Sequence, residues 1–157
     1  MSEKPLWDAR KSTLLSIAVG WIGLLAGIAC LGLLIPYLRS LRIPGTVFND
    51  FFVTRAAGPL FGCLIFGIAA LIILLRLLVS IRKGEVFTVS NVRRLRLISY
   101  CGFAIMAACI VAVIITPIRL VFVFLAAIAG FMGLLMRVIK NVIDAARLLK
   151  EDADFTI

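Results

Sequence analysis

Few residues in this 157-residue chain are able to do chemistry, and where they sit is informative. Cys30, Cys63, Cys101 and Cys109 all fall inside uncharged runs, form no Cys-x-x-Cys pair, and have no histidine anywhere in the chain to work with. That pattern suits small buried apolar side chains; it suggests neither a disulfide framework nor a zinc site. No Asp or Glu interrupts the long apolar runs. Proton relays inside a membrane need ionisable side chains there, so a proton-coupled carrier of the small multidrug-exporter kind is not expected. An enzyme using histidine or a carboxylate pair within the spans is equally unexpected, and no cofactor is implied. Arg76 lies in the last third of an apolar run, where its stem can snorkel to the headgroups; the spacing favours an anchor over an intramembrane site.

The densest charge runs from Arg82 to Arg96, Arg-Lys-Gly-Glu-Val-Phe-Thr-Val-Ser-Asn-Val-Arg-Arg-Leu-Arg. Gly84 permits a turn that other residues resist, Phe87 is placed to dip into an interface, and Thr88 or Ser90 is placed to cap the helix that follows. Cations at a helix N-terminus oppose its dipole. Arg93, Arg94 and Arg96 therefore point to lipid phosphates or to an acidic partner. Arg82, Lys83, Phe87, Asn91, Arg93, Arg94 and Arg96 are the candidate partner or lipid contacts on this hinge. Asp154, Phe155 and Ile157 are their counterparts at the C-terminus, where Glu151, Asp152 and Asp154 form an acidic ending expected to leave the helix and to pair with the hinge arginines.

The elements that must position these residues are membrane spans. The chain is 63% hydrophobic, against about 45–50% in soluble domains. Its uncharged runs approach or exceed the ~20 residues needed to cross a bilayer. The reading is an all-α membrane protein, a single four-helix transmembrane domain over residues 1–157, with spans at about 14–38, 59–81, 97–115 and 120–136. These form two antiparallel hairpins joined by the hinge at 82–96 and followed by an amphipathic tail at 137–152. The first run is too long for a signal peptide, whose apolar region lasts about 7–15 residues. Residues 39–58 are expected to form an interfacial loop, with Pro59 in the first turn of the second span. In the tail, Val138, Val142, Ala146 and Leu149 recur at helical spacing opposite Lys140, Asp144, Arg147 and Glu151, an amphipathic helix that continues from the fourth span or bends onto the membrane surface.

Four spans put both termini and the hinge on one side. Thirteen of the seventeen Lys and Arg residues fall on or near that side, against Arg39, Arg42, Arg55 and Arg119 opposite. Positive charge marks the cytoplasmic side, so both termini are expected in the cytoplasm, and most of the net charge of +9 faces a bilayer with anionic headgroups. The charge needs no direct nucleic-acid partner to explain it. Small residues supply packing faces: Gly23-xxx-Gly27, Ala104-xxx-Ala108-xxx-Ala112, and Ala126-xxx-Gly130 overlapping Ala129-xxx-Gly133. They serve a four-helix bundle within one chain, with a homodimer through Gly23 and Gly27 as the alternative.

Gly84, Phe87, Asn91, Arg94 and Leu95, together with the ending Asp154-Phe155-Thr156-Ile157, resemble a bacterial family of small four-span membrane proteins catalogued only as a domain of unknown function. The resemblance covers most of the chain and implies a multi-pass protein of the bacterial cytoplasmic (inner) membrane. It also implies a neighbouring small helix-turn-helix regulator as a partner, and it brings no catalytic residues. The expected function is a non-enzymatic inner-membrane protein that binds a regulator or membrane subunit through hinge and tail. The alternative is a small transporter or a resistance or immunity factor acting on an amphiphile.

Overall fold

In lipid an apolar run must satisfy its backbone hydrogen bonds within itself, and the α-helix does so. The computed structural model describes residues 4–40, 50–84, 88–116 and 119–155, with side chains for 12–38, 40, 55–84, 88–116 and 119–153. They form α1 (Lys4–Ser40), α2 (Asp50–Arg82), α3 (Val89–Ile115) and α4 (Arg119–Phe155). Each contains a stretch long and apolar enough to cross a membrane, so this is a multi-pass membrane protein.

The helix ends follow local chemistry. At the end of α2 the Lys83 amide donates to the Val79 and Ser80 carbonyls and the Gly84 amide to that of Ile81. Gly84 then turns the chain at φ +84, a left-handed conformation costing an L-residue about 1–2 kcal/mol. At the end of α3 the Thr116 amide and hydroxyl both donate to the Ala112 carbonyl, at 2.9 and 2.7 Å. Thr116 itself is extended (φ −108, ψ 150), as the residue before a proline is pushed to be.

Two expectations need correction. Residues 50–58 belong to α2 rather than to a loop, and Pro59 lies inside the helix. Nothing from Asp50 to Ala57 breaks a helix, and Pro59 removes only one donor, toward the Arg55 carbonyl, which bends a helix more readily than it ends one. Of the two readings of residues 137–152, the structure has the first, an unbroken continuation of α4. The acidic ending stays helical to Phe155, because it holds neither Gly nor Pro and Glu151 accepts from Arg147 one turn earlier at 2.9 Å.

Contacts between helices are serial: α1 packs on α2, α2 on α3 and α3 on α4, and no other pair meets among the described residues. Gly20, Gly23 and Gly27 lie beside Leu75, Leu71 and Ile68. Gly62 lies beside Ala108, and the Cys63 and Cys109 sulfurs are 3.6 Å apart as free thiols. Gly102 and Gly130 meet Gly133 and Met106. In each pair of helices the numbers rise on one and fall on the other, so neighbours run antiparallel. Among the described residues the four helices of the expected bundle pack as an open row, α1 and α4 making no contact. The face carrying Gly23 and Gly27 is turned to α2, the intramolecular alternative, and a homodimer through it would have to displace α2.

The tightest crossing joins α3 to α4. A Cβ on Gly102 would stand 3.0 Å from the Gly133 Cα and 3.2 Å from the Ala129 carbonyl oxygen, and beside it the Ser99 hydroxyl donates to the Gly133 carbonyl at 2.8 Å. Further along, Cys109, Ala112, Phe122 and Ala126 form the buried apolar centre. Cys30, by contrast with the reading of all four cysteines as buried, is exposed on α1.

Gly102→Ala should lower the thermal midpoint in detergent, because a methyl group forced against backbone costs about 1–3 kcal/mol. Gly20→Ala meets only the rotatable Leu75 side chain, Cδ2 at 2.7 Å and Cγ at 3.3 Å, and should cost much less. A neutral Gly102→Ala would contradict the backbone crossing.

Candidate functional site

The hinge is three pieces of local structure. Arg82 closes α2, Lys83 and Gly84 make the turn, and Thr88 opens α3. Residues 85–87, and with them Phe87, lie outside the described residues. Thr88 has the extended backbone of a cap position (φ −105, ψ 146), and its carbonyl accepts from the Asn91 and Val92 amides. Its hydroxyl, however, is buried without a hydrogen-bond partner, and Ser90 is exposed in the first turn. Neither side chain caps the helix as expected.

The organising contact lies one turn further on. Asn91 is 1% exposed, and its Oδ1 accepts from Arg94 Nη1 at 3.0 Å. The same Nη1 donates to the Arg76 carbonyl on α2 at 3.2 Å. Arg94 thus straps the start of α3 to the last turns of α2, with Val92 and Leu95 buried alongside. Both acceptors are neutral, so the guanidinium is held without being neutralised.

Arg94 also lines a groove of about 520 Å³. Its floor is one face of α2 (Ile72, Leu75, Arg76, Val79, Ser80, Lys83); Trp21 and Leu24 of α1 form one wall and Arg94 of α3 the other. Among the described residues three cations border it, and none of those lining it is a carboxylate. Arg76 and Ser80 were not among the sequence-derived candidates. The signal was present: Arg76 and Lys83 are seven residues apart and so share a helix face.

The remaining candidates are dispersed. Arg82, Arg93 and Arg96 are exposed. Arg96 shares a smaller hollow with Ser99, Tyr100, Arg137 and Lys140, so its neighbours on α4 are cations. The expected pairing of hinge arginines with the acidic ending is not what the helices arrange. The Ser99 to Gly133 contact fixes a register in which Arg93 is level with residue 139. Glu151 is then ~18 Å further along the axis at 1.5 Å per residue. Glu151 and Asp144 flank Arg147 instead, at 2.9 and 3.5 Å. Asp154 and Phe155 lie in α4 with side chains outside the described set, and Ile157 lies outside it altogether.

A family model described as "Protein of unknown function (DUF2975)" matches residues 56–157. The chain belongs to this family. The match takes in nearly all of the membrane-crossing part of α2, the hinge, α3 and α4, so the Asn91 and Arg94 strap lies wholly within the DUF2975 part. The first helix lies outside it, and the groove is therefore walled on one side by α1 and on the other by the family's own helices. No curated protein and no solved structure matches the chain.

Asn91→Ala removes a buried acceptor from Arg94. The loss should cost about 1–3 kcal/mol and speed amide exchange in the first turn of α3. Arg93→Gln, at an exposed position, should do neither. Equal exchange rates in Asn91→Ala and wild type would show that the strap does not hold the helix.

Proposed function

We propose that this DUF2975 protein is a non-enzymatic protein of the bacterial cytoplasmic membrane that presents its hinge and the α4 arm to a partner inside the cell. One observation carries the reading. Beyond Met136, α4 continues for 19 residues, ~28 Å at 1.5 Å per residue, as an amphipathic arm with its apolar stripe uncovered. Val142 is 63% and Leu149 70% exposed, with Val138 and Leu148 also open. Asp144 and Arg147, on the opposite side, are half-buried. An exposed apolar stripe of this kind marks a partner or membrane contact, and the arm is anchored at its root by the α3 crossing.

The partner that fits has an apolar helix face with acidic residues beside it, to meet the stripe and the unneutralised hinge cations. A small helix-turn-helix regulator or another membrane subunit could supply such a face, and a second copy of the chain could bring its own arm. The excess of Lys and Arg at the hinge end supports a cytoplasmic position for that end and both termini.

Two measurements test this. Reporter fusions should read cytoplasmic after Lys11, near Gly84 and at the C-terminus, and not near Thr46 or Thr116; a cytoplasmic signal at Thr46 would overturn the orientation. In mild detergent, a partner retained by the full chain should be lost from Val142→Asp, which places a charge within the stripe. Recovery unchanged by Val142→Asp would show that the arm is not the docking surface.

A further inference from the structure

Two hinge cations, Lys83 and Arg94, line the groove over α2, whose chemistry the arm does not use. Its residues are graded along the helix. Ile72 and Leu75, with Trp21 and Leu24 opposite, make one end apolar; Arg76, Lys83 and Arg94 crowd the other with positive charge. From Ile72 to Lys83 the floor extends ~16 Å at 1.5 Å per residue. Its volume of about 520 Å³ lies within the range of small-molecule sites, ~300–1,000 Å³.

Three cations around one groove repel each other. The contacts made by Arg94 do not relieve this, because the Asn91 amide oxygen and the Arg76 carbonyl carry no net charge. The carboxylates of Asp144 and Glu151 pair with Arg147 on α4, on the far side of α3 from the groove. What would balance the groove is an anion placed between Arg94, Arg76 and Lys83, attached to an apolar body that follows the floor toward Ile72. Guanidinium groups match phosphate oxygens in geometry as well as charge.

We propose that the groove holds one anionic phospholipid, its phosphodiester between Arg76, Lys83 and Arg94 and an acyl chain along Ile72, Leu75, Trp21 and Leu24. The lipid would fill the gap that the serial packing leaves between α1 and α3, coupling the first helix to the DUF2975 part through a bound molecule. Basic pockets between helices at the membrane's inner face are suited to such headgroups. Arg76, read from its position as an anchor, becomes a ligand of that lipid.

Trp21 reports on the site directly. In a Trp7→Phe background it is the one remaining tryptophan. The protein is reconstituted in phosphatidylcholine vesicles containing either brominated phosphatidylglycerol or brominated phosphatidylcholine at equal fraction, and Trp21 fluorescence is read. The anionic lipid should quench several-fold more effectively. That preference should be lost in Arg76→Gln and reduced in Arg94→Lys, which keeps the charge but not the two-acceptor fork. It should persist in Arg93→Gln, an exposed hinge cation outside the groove. Equal quenching by the two lipids would overturn the proposal, as would loss of the preference in Arg93→Gln to the same degree as in Arg76→Gln, the mark of diffuse surface charge. Full displacement by millimolar glycerol phosphate would also overturn it, placing a free phosphate in the site instead of a lipid. An unchanged thermal midpoint in Arg76→Gln separates loss of the ligand from loss of the fold.

Discussion

Helices surrounded by lipid gain little from burying apolar side chains against each other, because the tails they leave are as apolar as the neighbours they meet. Close approach decides association instead, and in this protein it is greatest where Gly102 lies against the backbone of Gly133 and the Ser99 hydroxyl reaches the Gly133 carbonyl. The other elements depend on this crossing. It roots the long α4 arm and sets the register that places Arg96 beside Arg137 and Lys140 rather than beside the acidic ending. It leaves the outer face of α4 to lipid, with Leu120, Phe124, Ile128 and Phe131 exposed. At the other end of the row, α1 rests on α2 alone among the described residues, where Gly20, Gly23 and Gly27 admit the leucine and isoleucine side chains of α2 rather than its backbone.

Charge follows the same economy. Arginines in the membrane's outer zone are costly unless they reach water, headgroups or backbone oxygens. Arg94 uses a backbone oxygen of α2 and the buried Asn91 amide, so it is held by neutral acceptors and keeps its positive charge. Structure and charge are thereby separated: one nitrogen of the guanidinium holds α3 in place while its charge remains available to the groove. A salt bridge in the same position would have held the helix and cancelled the field.

Much of this was legible in the sequence. Apolar runs gave the four spans, Gly84 the left-handed turn, and Thr116-Pro117 the end of α3 at Ile115. What escaped reading has physical causes. A helix boundary depends on the first residue able to start it, so the start of α2 at Asp50 was hidden by the more conspicuous Gly58 and Pro59. The small-residue pattern on α3 pointed to Ala104, Ala108 and Ala112, yet the closest contact falls at Gly102, because the crossing is decided by which face α4 presents. The order of packing could not be read at all. A closed bundle and an open row have the same spans, and only the contacts between helices tell them apart. The groove follows from the row, so Trp21 and Ser80 carried no mark in the sequence.

The open row is the central claim, and one distance tests it most directly. Spin labels at Ser16 on α1 and Asn141 on α4, both exposed and near the hinge end, can be introduced after replacing the four native cysteines. Dipolar spectroscopy in lipid then measures their separation. Adjacent helices lie ~8–10 Å apart between axes. With α2 and α3 interposed, the account predicts a main distance of roughly 20 Å or more, beyond that of a control pair on the neighbouring helices α3 and α4. A main distance matching the control pair would put α1 against α4, closing the bundle and contradicting the row and the groove that depends on it.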